Sequence, residues 1–462
     1  MAIGAGAVWD VRPTTGDNQN GAGFDSALAG AGTNYSTQGA AQLSITDIAH
    51  TGGSTTITSA TGGFTSAMIG NAIRIYAGTN FIVGYYFITG FTSTNQITID
   101  RSCGATTASG GSGKVGGATK GITTQAAPTL ANSIVVPNKI FIKNESWNEA
   151  VALTLAGNNT NQVIWEGYNV TQGDNPSLAD CPHNNRGGAA GVGWDCAAAT
   201  DNIIKNIWVS NAGGNGFESA NKTIFVNCRA SNNGSSGFSL DGSTRKSVIG
   251  CESYSNTLYG FYTIAGTNNF ATYWGCYSHD NTSEGFHFAP QDGHSLLFCI
   301  SEANSSHGVG IQSTNSSLFL YNCTIDGNTG ATTDGFNIPG SMLTGGSFLN
   351  NSFTNNGRYG VNATTTSGGT GTWCDYNNFF GNGSGSRNNF NTGSHDISVN
   401  PSYVDRTNGN FAVGSSMSAV AFPGTFPGSL SVGYLDIGAV QRVEPTVPTN
   451  ANGIFSSYRV LR

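Results

Sequence analysis

Five cysteines set the frame of this chain: Cys228, Cys251, Cys276, Cys299 and Cys323 follow one another at intervals of 23, 25, 23 and 24 residues. The first four open segments of one length, CRASNNGSSGF, CESYSNTLYGF, CYSHDNTSEGF and CISEANSSHGV, each closing on Gly and an apolar residue. Looser copies run from Ile207 to Phe217, from Cys323 to Phe336 with a three-residue insertion, and from Asn351 to Val361, so seven coils share one register. A unit of about 24 residues is too short for a propeller blade and lacks leucine-rich spacing, whereas short strands joined by Gly/Asn turns suit a β-solenoid.

The two-residue period of a strand puts each cysteine inside with its neighbours two positions away, as in Val226, Cys228 and Ala230 or Trp274, Cys276 and Ser278. Five positions after the cysteine slot stand Asn233, Asn256, Asn281, Asn304, Asn328 and Asn356, with Ala212 the exception. Asparagine accepts the left-handed backbone of a sharp turn, and its amide reaches the same residue one coil away, so a buried asparagine ladder is expected. The cysteines are expected to pack as small hydrophobes, since no CxxC or Cys/His zinc spacing competes with that role. Nine cysteines cannot all pair within the chain, and Cys181 with Cys196 is the one pair worth testing for a disulfide.

Composition agrees with a turn-rich core. Only 10% of residues are charged and 66 are glycine, against roughly a quarter charged in ordinary globular chains. Disorder does not account for this, because 38% of residues are hydrophobic. A net charge of -7 without any Lys/Arg cluster gives no reason to expect a nucleic-acid partner. No run approaches the length of a membrane span, and Met1 to Asp10 lacks the basic and apolar regions of a Sec signal, so neither membrane insertion nor Sec export is expected.

The coil repeat, the asparagine ladder and the ending Asn400-Pro401-Ser402-Tyr403-Val404-Asp405, then Asp436-Ile437-Gly438-Ala439-Val440-Gln441, together resemble the pectin-lyase-like family. The resemblance spans about Ile134 to Gln441 and implies an all-β, right-handed parallel β-helix. Similar endings close many extracellular and phage β-helix proteins. Four regions follow: an extended or anchoring segment 1–44, a small β module and linker 45–120, the β-helix 121–441, and a capping or assembly tail 442–462.

In the module, Thr55 to Thr58, Ala72 to Tyr76, Tyr85 to Thr89 and Gln96 to Asp100 alternate as short strands, and Thr106 to Lys120 has the composition of a linker. Its Phe64 to Asn71 run and Gly78-Thr79-Asn80-Phe81 resemble N-terminal modules of phage and environmental β-helix proteins. No cofactor is expected. Gly16 to Gly21 is the stretch whose oxygens suit a structural Ca2+, yet it lacks the acidic spacing of a calcium loop, and turn formation explains the same residues. The tail carries Ile454, Phe455, Tyr458, Val460 and Leu461, an apolar end suited to covering the last coil or joining a neighbouring subunit.

Register also names the outward stripes. After the Gly-apolar landmark come Glu218, Ser239, Tyr262, His287, Gly310, Asn337 and Asn362; beside the cysteine slot come Trp208, Arg229, Glu252, Tyr277, Ile300, Thr324 and Ser352. Such mixtures of rings and polar groups suit sugars, and are equally ordinary for a solvated sheet or a subunit interface. His279, Asp280, Glu284, His287, Asp292 and His294 form the densest titratable group, and Asp280, Glu284 and His287 are its candidate acid–base residues for glycosidic cleavage. Turn positions also explain Asp280 and Glu284.

Comparison with the family's enzymes weakens the catalytic reading. The hydrolases' paired aspartates and Gly-His-Gly segment are missing, as are the Arg-x-Pro-x-x-Arg segment and calcium carboxylates of pectate lyases. Of the Lys/Arg pairs used by other lyases, Lys205, Lys222, Arg229, Arg245 and Lys246 are available. The leading expectation is a virion structural protein (tail-spike, fibre or capsid-decorating appendage), a homo-oligomer, with a trimer favoured. Its partners would be other virion proteins and a cell-surface polysaccharide, in a virion or extracellular location. The alternatives are a polysaccharide lyase or glycoside hydrolase, and a non-catalytic glycan-binding adhesin.

Overall fold

The computed structural model describes residues 7–121 except 29, and 138–441 except 155, 159–161, 243–244, 265–269, 290–291, 313–316, 340–344, 366–370, 414–416 and 418–435. The start of the resemblance at Ile134 and the tail 442–462 lie outside the described residues. The chain divides into two units, 1–187 with 193–208, and 188–192 with 209–462. Together they carry about nine turns of a right-handed parallel β-helix and a small antiparallel module.

In the second unit each coil reads strand, left-handed residue, strand, left-handed residue, turn, strand. Thr223–Val226, Arg229–Ser231 and Phe238–Leu240 make one coil; Lys246–Ile249, Glu252–Tyr254 and Phe261–Thr263 make the next. These three strand positions build the first, second and third parallel sheets. Between the first two strands stand Asn227, Gly250, Gly275, Phe298, Asn322, Asn350 and Tyr376, all at φ between 52° and 61°. Five are Asn or Gly, the residues that tolerate this backbone at least cost.

That single residue also breaks the strand alternation. Val226 and Trp274, expected inside with the cysteines, point outward, and Phe225 and Tyr273 fill the core instead. Beyond the break Cys228, Ala230, Cys276 and Ser278 are buried as expected. A second left-handed residue precedes each ladder asparagine: Asn232, Ser255, Asp280, Ala303, Gly327, Asn355 and Gly381. The strained backbone therefore sits one residue earlier than expected, and the ladder asparagine is left to make hydrogen bonds.

The ladder amides donate Nδ2 to the next Oδ1 at 2.8 Å (Asn233 to Asn256), 2.9 Å (Asn256 to Asn281), 2.9 Å (Asn281 to Asn304), 3.0 Å (Asn304 to Asn328) and 3.0 Å (Asn328 to Asn356). Ala212, the exception, still donates its backbone N–H to Asn233 Oδ1 at 3.0 Å. The cysteine slot itself passes to asparagine: Cys323 N–H donates to Asn351 Oδ1 at 2.9 Å, and Asn351 Nδ2 donates to Asn377 Oδ1 at 2.9 Å. Higher in the stack Cys228 N–H approaches Cys251 Sγ at 3.3 Å, so a sulfur occupies the place of an amide oxygen. All nine cysteines are buried and outside any disulfide, Cys181 and Cys196 included. Phe217, Phe238, Phe261 and Phe286 add an inner ring stack at centroid spacings of 4.8, 5.0 and 4.9 Å.

Strand pairing reproduces both expected stripes, Glu218–Ser239–Tyr262–His287–Gly310–Asn337–Asn362 on the third sheet and Arg229–Glu252–Tyr277–Ile300–Thr324–Ser352 on the second. Only part of the second is displayed. The C-terminal segment folds back over this face, with Tyr403, Phe411, Ala439 and Val440 packed on Tyr277 and Ile300. Tyr403 OH lies 2.9 Å from Ser352 Oγ, and Ala439 N–H donates to Thr324 Oγ1 at 3.0 Å. Gly438, at φ +108°, lets the strap approach and donate to Asn350 O at 2.8 Å. The family-like ending is thus a strap over the second sheet.

The first unit begins differently from an extended anchor. Val8–Val11 pairs in parallel with Asn138–Lys143, which pairs with Val163–Tyr168 and through it with Asn202–Lys205. Six strands, Leu43–His50, Thr56–Ser59, Gln96–Ile99, Gly84–Ser93, Ala72–Ala77 and Ala108–Val115, close a barrel in that order. The last strand occupies the stretch whose composition suggested a linker. Its glycines answer to packing: a Cβ on Gly111 would sit 2.6 Å from the Phe81 ring, and one on Gly113 would sit 2.8 Å from Ile48 Cδ1.

The polar groups of the Gly16 to Gly21 stretch bind the protein itself. Asp17 pairs with Lys114 Nζ at 2.5 Å, Asn18 Oδ1 accepts from Gly121 N–H at 2.9 Å, and Asn20 Nδ2 donates to Ala118 O at 2.8 Å. Among the described residues no helix is long and apolar enough to cross a membrane.

Candidate functional site

The coil separates the titratable cluster onto three sheets. His294 turns inward from the first sheet, fully buried and stacked on Phe288 at 4.8 Å. Burial, with Lys246 nearby, pushes it down to about 4, so it is a neutral core residue that accepts from Ala271 N–H at 3.2 Å. Asp292 lies on the same strand, and its side chain is outside the described residues.

On the second sheet His279 is held between two carboxylates and two rings. Its Nδ1 is 2.7 Å from Asp280 Oδ2 and its Nε2 3.2 Å from Glu252 Oε1, while Tyr254 and Tyr277 stack on it at 4.9 and 4.3 Å. Arg229 pairs with the other oxygen of Glu252 through Nε at 2.7 Å and Nη2 at 2.6 Å. Burial opposes both charges, but Asp280 and Glu252 raise His279 above its usual range, and His279 with Arg229 lowers Glu252. Next along the stack, Glu302 accepts a hydrogen bond from Tyr277 OH, and burial raises its carboxyl. Trp208, expected on this stripe, belongs to the first unit and stacks on His183 at 3.8 Å.

On the third sheet the rings gather around His287. Tyr259 stacks on it at 4.2 Å, Tyr262 meets it at 5.4 Å, and the two tyrosines lie 4.9 Å apart. Glu284 Oε2 is 3.6 Å from His287 Nδ1 and accepts from Ser283 Oγ at 2.6 Å. Burial would raise the Glu284 carboxyl, but His287 and Ser283 hold it down at about 2, so it is ionised at neutral pH. Gly310 makes room for this side chain, since a Cβ there would stand 3.0 Å from Glu284 Cγ. Glu218 accepts from Asn215 Nδ2 at 3.0 Å and Asp241 lies near Tyr262, whose phenol is raised by burial and then by this carboxylate. Along the same stripe Asn362 Nδ2 donates to Asn337 Oδ1 at 3.0 Å.

Of the three acid–base candidates, then, Glu284 and His287 share one site and Asp280 serves His279 on another sheet. Three contributors were not singled out from sequence. Tyr259 stands immediately before Gly260 as Glu284 stands before Gly285, and Tyr254 and Glu302 pair on either side of His279, two residues beyond the cysteine-adjacent stripe. Extending the register to those positions would have found them.

The three-sheet coil with its asparagine ladder decides the fold. It is a parallel β-helix. No family model and no curated protein matches the sequence. Among solved structures the chain is similar to pectate lyase Pel9A at 13% identity, covering 68% of this chain and 90% of that one with a TM-score of 0.45. It is also similar to the A-module of mannuronan C-5 epimerase AlgE4 from Azotobacter vinelandii at 14% identity, covering 58% and 64% with a TM-score of 0.32. The tailspike protein gp49 of Pseudomonas phage LKA1 is similar at 13% identity, covering 78% and 64% with a TM-score of 0.18. At such identities the likeness is one of fold.

Proposed function

We propose that this chain is a surface-displayed β-helix, of the kind carried by a virion appendage or an adhesin, that attaches to a glycan through its third sheet. The observation that carries this reading is the cluster of Tyr259, Tyr262 and His287 beside the ionised Glu284 on an outward face. Rings take the apolar face of a pyranose, while carboxylates and amides accept its hydroxyls. The apolar tail supports assembly as a homo-oligomer, with a trimer the form we favour. Immobilised protein tested against a broad glycan panel should retain at least one polysaccharide class, and Tyr262→Ala should abolish that retention without changing the thermal transition. Retention by none, or retention indifferent to Tyr262→Ala, would overturn the reading.

One observation favours a second reading, glycosidic cleavage. Against its burial the Glu252 carboxyl is lowered by His279 and Arg229, whereas burial raises the Glu302 carboxyl, and both stand beside His279 on the second sheet. Carboxyls pushed in opposite directions are the pattern of a general base and a general acid. Release of reducing ends from any bound polysaccharide, lost in Glu302→Gln, would establish it; intact polymer after prolonged incubation would remove it.

A further inference from the structure

We infer that the third-sheet site holds the interior of a glycan chain laid along the coil axis, with a second subsite for a ring hydroxyl between Glu284 and Asn337. This rests on the glycan reading above and adds how much of a chain the site takes and which group it reads. Beyond the rings the outward stripe runs Gly310, Asn337, Asn362 and Asn388, one residue per coil. Its amides are aligned in one direction. Asn388 Nδ2 donates to Asn362 Oδ1 at 2.9 Å and Asn362 Nδ2 to Asn337 Oδ1 at 3.0 Å, each to the coil before. By the same rule Asn337 Nδ2 would donate toward Gly310, which has no side chain to accept. Among the described residues this N–H has no acceptor.

Glu284 leans over the same glycine from the turn of the preceding coil. Its Cγ and Oε1 lie 3.0 and 3.2 Å from the point where a Cβ on Gly310 would stand. Oε2 is taken by Ser283 Oγ at 2.6 Å and faces His287, whereas Oε1 has no hydrogen-bond partner among the described residues. An amide donor and a carboxylate acceptor thus border one break in the stripe. A hydroxyl answers both, since it accepts from the amide N–H while it donates to the carboxylate. A ring oxygen or a methyl ether only accepts, and leaves Glu284 without a donor. Asn362, itself only 2% exposed, holds the Asn337 amide in place before any ligand arrives, which keeps the ordering cost of binding small. Tyr262 and Asn337 are three coil steps apart, roughly 14 Å. One pyranose does not reach that far, so a ligand touching both is a chain of several sugars.

The test is titration of the full chain with cello-, laminari- and malto-oligosaccharides of two, four and six units, and with sized fragments of any polysaccharide that the broad panel retains. In a series that binds, the tetramer should bind about tenfold more tightly than the dimer, the gain expected of a hydrogen bond to an ionised group. Asn337→Asp keeps the oxygen to which Asn362 donates and loses the N–H, so it should erase that gain with the thermal transition unchanged; Asn337→Ala should erase it as well. A fully O-methylated tetramer should show no gain over its dimer. Tyr262→Ala should weaken both lengths alike. Equal binding of dimer and tetramer, or a gain that survives either Asn337 variant or O-methylation, overturns the second subsite and leaves the ring platform standing. Binding of none of these sugars, panel fragments included, overturns the glycan reading itself.

Discussion

Asn281 illustrates how much one side chain holds in this fold. Its Oδ1 accepts from both the backbone and side-chain nitrogens of Asn256, at 3.1 and 2.9 Å, and its Nδ2 donates to Asn304 and Ser278. Replacing it with Ala strands two buried donors of Asn256, each costing about 1–3 kcal/mol. Chemical denaturation of Asn281→Ala should therefore show a loss of about 3 kcal/mol, and a change under 1 kcal/mol would mean the ladder carries little of the stability. His279 makes a prediction about pH. Its folded value is raised above the ordinary 6.5, so its contribution is full below that pH and fades as pH climbs through the raised value. Glu284 acts in the opposite limb: held at about 2 against an ordinary 4.5, it stabilises above the latter and loses that as pH falls toward the former. Midpoints of urea unfolding should fall less steeply above pH 6.5 in His279→Gln than in the parent, and less steeply in acid in Glu284→Gln; parallel curves would refute both assignments.

At the scale of elements, the strap and the turns are where sequence and structure part. The spacing of the cysteines and asparagines carried the register, so both stripes fell on the residues expected of them. What spacing does not carry is the left-handed residue between the first and second strands, because Asn, Gly, Phe and Tyr all occupy it. That residue reverses the side-chain parity and turns Val226 and Trp274 outward. The Ala108–Val115 strand was hidden for a related reason: its glycines answer to Phe81 and Ile48 across the barrel, and such contacts leave no local pattern. The strap was legible as a motif but not as a contact, so Tyr277 and Ile300 appeared displayed when they are covered. Phe411 is fully buried in that contact, and its truncation to Ala should cost about 3–5 kcal/mol locally. Hydrogen exchange should then rise in residues 400–412 and in Ala439 while the coil amides keep their protection; unchanged exchange there would mean the strap is held by other contacts.

For the whole molecule, the repeat makes sheets that differ in what they offer. The first turns the neutral His294 into the core, the second is partly roofed by the strap, and the third presents rings and carboxylates in register. Sequence gave that third stripe directly through Glu218, Tyr262 and His287, whereas Tyr259 and Asp241 needed the turn geometry to join it. The candidate acid–base trio was legible only as a list, since residues a few positions apart sit on different sheets of a solenoid. A crystal structure of the chain with an oligosaccharide it retains tests the account most directly. The account predicts a pyranose ring stacked on Tyr259 or Tyr262 with a polar group within hydrogen-bond reach of Glu284. A saccharide seated instead on the second sheet around His279, with the third sheet bare, would contradict it.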